Sequence, residues 1–261
     1  MSRLKKYSSI AVLAVVFVIA LCVVLWAHQQ YVVPIIMYHK VDDTADVSKL
    51  SVCPRSFESQ IHFLKAHNYN AVKLEDVPDL MEKGPLPRKT IAITFDDGYE
   101  NNYTCAYPVL KKYGIPATIF IVPALVGTEG YLTWDQIVEM SESGVITIGS
   151  HTMTHAWLPD LPEQKLDIEV FDSKRAIEGH LRKEVSSFSY PLGGFNSHVR
   201  DKVIKAGYKI AVATNPGKNY PNHDLFAMKR LRISRTSDNL FVFWIEISGF
   251  YTWLKEHRDE D

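Results

Sequence analysis

The sequence predicts an α/β fold of the parallel-barrel type, and three observations carry that expectation. Short β-branched apolar runs alternate with amphipathic segments of helical period between residues 34 and 234, a pattern that implies parallel strands joined by crossover helices. About seven such units follow one another without a glycine-rich dinucleotide fingerprint, which favours a closed barrel over an open doubly wound sheet. Polar, reactive side chains stand immediately after several of the runs, where a parallel barrel gathers its chemistry.

Each element follows from its own pattern. "PIIMYH" (34–39) is a strand, and "FESQIHFLKAHN" (57–68) is a helix with Phe57, Ile61 and Leu64 on one face. "TIAITF" (90–95) is a buried strand, followed by the helix "NNYTCAYPVLKKYG" (101–114), which Gly114 stops. "ATIFIV" (117–122) is a strand, and "TWDQIVEMSESG" (133–144) is a helix capped at Thr133 and ended at Gly144. "VITIGS" (145–150) is a strand, and Leu166, Val170, Ile177 and Leu181 form a helical stripe within 163–182. "SSFSYP", "KIAVAT" and "KRLRIS" are later strands, with the helix "NSHVRDKVIKAG" before the second of them. The aromatic segment "DNLFVFWIEISGFYTWLKE" (238–256) reads most simply as a helix packed on the barrel; a place at the outer leaflet or against sugar rings is the alternative.

Ahead of the barrel, Arg3, Lys5 and Lys6 precede an uncharged apolar run from Ile10 to Ala27. Roughly 20 helical residues cross the hydrocarbon core, and a basic flank stays on the cytoplasmic side. The expected organisation is a basic cytoplasmic segment (1–7), a transmembrane signal-anchor (8–27) and an extracytoplasmic domain (28–261), placing a single-pass protein in the cell membrane. "LWA" before His28 is a poor small-x-small site, which argues against a cleaved signal peptide. The 29 basic and 30 acidic residues nearly cancel, so nothing suggests a nucleic-acid partner, and a monomer is expected. The plain reading of Cys53 and Cys105 is two free, buried thiols, since spacing alone cannot establish a pairing.

The chemistry begins with "GSHTMTH" (149–155), in which His151 and His155 are four apart. On a helical turn that spacing puts both imidazoles on one face, where they could bind one metal ion. Two imidazoles plus one carboxylate leave coordination positions open for water and substrate, the ligand set of a catalytic site. "TFDDG" (94–98) brings two adjacent carboxylates, Asp96 and Asp97, to a strand end. Neighbouring charges repel, but a cation on one of them removes much of the repulsion. The other is then free to act as a base toward a water that the metal has acidified. Alone, Asp-Asp-Gly is a turn sequence; the histidines shift the reading toward metal.

"TFDDG" followed by "SHTMTH" resembles the polysaccharide deacetylase family, the NodB-homology domain of carbohydrate esterase family 4. "MYHKV", "GIPATIF" and "FSYPLGG" fit the same pattern, which runs from about Pro34 to Ser234. The resemblance implies a distorted (β/α)7 barrel, one divalent ion, commonly zinc with cobalt or nickel as alternatives, and hydrolysis of N-acetyl groups on N-acetylglucosamine polymers. It implies Asp97, His151 and His155 as metal ligands and Asp96 as the catalytic base.

Two departures bear on the site. Many members pair the base with an arginine from an Arg-x-Pro-Tyr-type motif, but Ser189 stands at that place in "SYPLG". Arg230 or Arg232 could supply the charge instead, and the turn Tyr190–Pro191–Leu192 could bind substrate and offer a backbone N–H to the developing oxyanion. The late Leu-x-His that supplies a general acid in many members is missing. His39 in "MYHKV" resembles the histidine that the poly-N-acetylglucosamine branch places early, and it becomes the candidate acid. The expected substrate is therefore an envelope polysaccharide: peptidoglycan, poly-N-acetylglucosamine or a chitin-like chain. An O-acetyl esterase acting on xylan and a metal-free carbohydrate-binding relative are the competing readings.

Overall fold

The computed structural model describes residues 15–22, 31–43, 50–84, 86–214 and 220–252. Contacts divide the chain into two units, Met1–Val32 and Val33–Asp261. In the first, residues 15–22 are helical and exposed. The rest of the expected 8–27 anchor lies outside the described residues, and among the described residues no helix is long and apolar enough to cross a membrane.

Among its described residues the second unit has ten strands: β1 (Ile35–Tyr38), β2 (Lys40–Val41), β3 (Ser51–Val52), β4 (Asn70–Val72), β5 (Thr90–Phe95), β6 (Ala117–Ile121), β7 (Ile146–Ser150), β8 (Ser187–Ser189), β9 (Ile210–Ala213) and β10 (Met228–Arg232). Seven of them close a parallel barrel in the order β1-β5-β6-β7-β8-β9-β10, with β1 pairing both β5 and β10. All seven fall on the apolar runs read as strands. The barrel is irregular at β5, where β4 pairs the first half (Asn70↔Thr90) and β1 pairs the second (Tyr38↔Phe95).

The described helices of this unit are α1 (Pro54–Ala66), α2 (Val77–Glu82), α3 (Tyr107–Tyr113), α4 (Trp134–Glu142), α5 (Glu163–Asp167), α6 (Ser173–Leu181), α7 (Ser197–Lys205) and α8 (Leu240–Glu246). α1 starts before Phe57 because Pro54 opens its first turn, where the missing N–H costs nothing. Thr133 caps α4 in a full capping box with Gln136, as its position predicts. The 163–182 stripe is helical throughout but not uniform. A π segment, Ile168–Asp172, joins α5 to α6, and Leu166, Val170 and Ile177 are buried. α8 packs inward through buried Phe243, edge-on to Phe63 of α1 at 6.2 Å.

The core has two parts, as a barrel with an outer helix layer requires. Ile35, Ala92, Phe120, Ile210, Val212 and Met228 cluster with Leu74 and Val77, while Ile36, Tyr38, Ile91, Ile93 and Phe95 belong to the larger cluster with the helices. Alternate residues of one strand thus feed different layers, the two-residue period of a strand. Cys53 and Cys105 are unpaired and half-buried, so the free thiols are as expected and the full burial is not.

Candidate active site

The barrel ladder continues one residue past several strands and so fixes the backbone of the first reactive residues. The Asp96 N–H donates to Tyr38 O at 3.0 Å, the His151 N–H to Ile121 O at 2.9 Å, and the Tyr190 N–H to Val212 O at 3.1 Å. Gly149, two residues before His151, has no room for a side chain: a Cβ there would lie 2.4 Å from the Phe120 ring and 2.6 Å from Ser187 Oγ.

Asp96 is buried, and Arg230, reaching across from β10, holds it by two bonds, Nη1 to Oδ1 at 2.6 Å and Nη2 to Oδ2 at 2.7 Å. Nη2 also donates to Ser189 Oγ at 2.9 Å, and Nη1 reaches Thr94 Oγ1 at 3.3 Å. The guanidinium lies 5.6 Å from the Phe120 ring centre. Ser189 and Arg230 together therefore occupy the role the sequence left open, and Arg232 is exposed. Burial opposes the Asp96 charge, but the Arg230 guanidinium overrides it and holds the carboxyl well below the usual carboxylate range.

Asp97, His151 and His155 bring one ligand atom each within 4.8 Å of one another. Asp97 Oδ1 lies 3.6 Å from His151 Nε2 and 3.4 Å from His155 Nε2. His151 Nδ1 is 2.8 Å from Ser189 O; a carbonyl only accepts, so Nδ1 carries the proton and Nε2 presents its lone pair toward Asp97. Burial, outweighing Asp96 and Asp97, lowers the His151 pKa and keeps the ring neutral, the form a cation needs. A carboxylate and two imidazoles aimed at one point fit a borderline divalent ion.

The helical turn expected at 151–155 is not there. The segment is an irregular loop with Thr152 at φ 66° and His155 at φ 63°. In this left-handed backbone His155 Nε2 lies 3.4 Å from Asp97 Oδ1, and Asp97 itself sits at φ 71°. Such conformations persist where the surroundings over-determine them. Here Thr152 Oγ1 accepts from the His155 N–H at 3.0 Å, and buried Glu169 accepts from the Thr154 N–H at 2.9 Å and its hydroxyl at 2.6 Å. Tyr99 stands beside Asp97; burial first, then that carboxylate, raises its pKa. Glu169, Thr154 and Tyr99 escaped the sequence reading. Only the place of Glu169 on the inward stripe of its helix, next to Val170, hinted at a buried acid.

His39 follows β1, and its surrounding charges are Asp96, Asp97, Arg230 and Arg232. Its Nδ1 is buried with no hydrogen-bond partner among the described residues. Burial is the largest influence and lowers its pKa against the pull of the two carboxylates, so the resting ring is neutral near pH 7. In the Tyr190–Leu192 turn, the Tyr190 amide is committed to Val212, its hydroxyl donates to Phe226 O at 3.1 Å, and Pro191 has no N–H. Only Leu192, at φ 54° and 75% exposed, brings an amide that an oxyanion could use.

A guanidinium-clamped carboxylate beside an Asp-His-His cluster, at the C-terminal mouth of a parallel barrel, defines a hydrolytic enzyme. Comparison with known proteins gives its family. The polysaccharide deacetylase family model matches residues 83–211. YxkH of Bacillus subtilis (strain 168), whose name assigns it provisionally to the polysaccharide deacetylases, is 35% identical over 82% of this chain and 76% of its own. The poly-beta-1,6-N-acetyl-D-glucosamine N-deacetylase of Staphylococcus aureus (strain MSSA476) is 30% identical over 79% of this chain and 75% of its own. The solved structure of the Streptococcus pyogenes deacetylase PplD in complex with acetate aligns at TM-score 0.74 and 29% identity, covering 81% of this chain and 97% of that one. The chain belongs to the polysaccharide deacetylase family.

Proposed function

We propose that this enzyme is a metal-dependent N-deacetylase of N-acetylglucosamine polysaccharide, with poly-N-acetylglucosamine as the leading substrate, held at the cell membrane by residues 8–27 with its barrel outside. The observation that carries the reading is the juxtaposition of Asp97, His151 and His155 within 4.8 Å beside the Arg230-clamped Asp96. The name of the staphylococcal relative and the early "MYH" histidine support the polymer.

Asp97, His151 and His155 would hold one divalent cation, zinc by the donor set, with cobalt or nickel able to replace it. When bound, that ion supplies Lewis acidity toward a water and the amide carbonyl. Asp96, ionised by Arg230, takes the proton from the attacking water as its oxygen adds to the acetyl carbon. The Leu192 N–H stabilises the developing oxyanion. As the C–N bond breaks, His39 gives a proton to the leaving amine; its resting ring is neutral, so it first takes that proton from solvent, and Asp96 releases the one it took to solvent as acetate leaves. The products are acetate and a free amino sugar.

Acetate release from a panel of poly-N-acetylglucosamine, peptidoglycan, chitin oligomers and acetylated xylan tests the substrate class. Release from the N-acetylated polymers, reduced about 10²–10⁴-fold by Asp96→Asn, is expected; release from acetylated xylan alone would make the enzyme an O-acetyl esterase. Protease added to protoplasts should digest the barrel, and protection until lysis would reverse the orientation.

A further inference from the structure

Trp157 lies two residues beyond His155, so their Cα atoms are at most about 7 Å apart. Two contacts hold the indole. Its Nε1–H donates to Asp160 Oδ2 at 3.1 Å, and its six-membered ring lies against Gly194, where a Cβ would fall 2.0 Å from the ring. Gly194 has an ordinary extended backbone, φ −83° and ψ 114°; it is the ring, not the chain conformation, that excludes a side chain there. The indole therefore spans the loop after β7, which carries His155, and the loop after β8, which carries Leu192. Despite these anchors, 46% of Trp157 remains exposed. Leu192, two residues from Gly194, is 75% exposed in left-handed backbone. An apolar side chain held outward at the cost of backbone strain is a second sign, independent of Trp157, that this rim meets a ligand.

We propose that the outward face of Trp157, with Leu192 at its edge, is a sugar-binding subsite on which a pyranose ring of the polymer stacks, next to the residue whose acetyl group is removed. The axial C–H faces of a pyranose are apolar and match an aromatic surface, while its hydroxyls stay in water. An indole held by its N–H and by a glycine is pre-organised for this, so little side-chain entropy is lost on binding. The subsite rests on the proposed polysaccharide reading. It assigns the Trp157 ring and the Leu192 side chain to grip on the chain, apart from the Leu192 N–H that serves the reaction.

The test compares kcat and KM for acetate release from a β-linked N-acetylglucosamine pentamer with those for 4-nitrophenyl acetate, a substrate with no neighbouring sugar. Trp157→Ala should raise the pentamer KM and lower the pentamer-to-ester ratio of kcat/KM by about tenfold, with zinc content unchanged. Trp157→Phe should keep most of the ratio. Gly194→Ala, which leaves Trp157 in place but pushes its ring from its seat, should lower the ratio as well and serves if Trp157→Ala does not fold. A wild-type enzyme that releases acetate from the pentamer, with the ratio unchanged in both Trp157→Ala and Gly194→Ala, overturns the subsite alone. Equal losses on both substrates together with lost zinc would also overturn it, making Trp157 a structural brace between the loops. No acetate from any oligomer with the wild type overturns the polymer reading and the subsite together.

Discussion

Replacing Asp97 by Asn exchanges an anionic donor for a weaker neutral one, so zinc affinity and activity should fall together. Asp96→Asn leaves the three donors whole. Its preparations should keep zinc while acetate release drops about 10²–10⁴-fold, the usual worth of a general base. Metal content and acetate release measured on the same samples separate the two, and loss of zinc from Asp96→Asn with retention in Asp97→Asn would reverse the roles. The surroundings support the assignment: the Asp96 side chain is 4% exposed, with both oxygens held by Arg230 and His151 Nε2 3.7 Å away, whereas Asp97 is 13% exposed and lies 3.6 and 3.4 Å from the two histidines. Arg230→Met strands the Asp96 charge in the barrel. Breaking one side of a buried pair typically costs about 3–5 kcal/mol, so a clear fall in Tm should accompany inactivation. Arg230→Lys restores a charge but not the two-pronged grip, and recovery of full activity by lysine would show that the geometry of the clamp is immaterial.

At the scale of elements, the loop 151–155 depends on the π-containing rod 163–181. Glu169→Gln keeps the size of the side chain but weakens its hold on the Thr154 amide and hydroxyl. Zinc affinity should fall about 10- to 100-fold, the typical effect of losing a group that orients a ligand, and zinc titration of the variant checks it; wild-type affinity would mean that the left-handed loop holds itself. This dependence also marks the limit of what the sequence discloses. Strands β1, β5 and β7 are legible because β-branched runs buried on both faces have no other reading, and the reactive residues at their ends come with them. The two-residue strands β2 and β3, the short β4 and α2 carry too little pattern to be seen. The histidine spacing suggested a helical turn, but the turn is set by the side chains of Thr152, Thr154 and Glu169, and the last of these lies 14 residues beyond His155. Arg230 and Arg232 could both be named from their charge, and the two-residue period puts them on the same side of β10; the choice is set by depth along the strand, where Arg230 is buried and Arg232, at the last position, is exposed.

For the molecule as a whole, the buried groups of the site set its tolerance of acid. His39 and His151 both have pKa values lowered from the ordinary 6.5, by burial first. Just below 6.5 the unfolded chain binds protons that the folded chain refuses, so stability falls as pH drops through that region. Asp96 acts later in the same direction: its folded pKa is depressed below the ordinary 3.8, and the stability it contributes is lost only as pH falls below that value. The metal-free protein should therefore melt at a lower Tm at about pH 5.5 than at about pH 7.5; a higher Tm in acid would contradict neutral buried rings. The central claim is that the Asp97–His151–His155 cluster is a working metal site in an amide-cleaving enzyme, and one titration tests it most directly. Acetate release from poly-N-acetylglucosamine is followed as exhaustively chelated protein is returned to zinc. The account predicts negligible release from the stripped enzyme and recovery that saturates at about one ion per chain, as one open three-donor site requires. Full activity after complete chelation would contradict it.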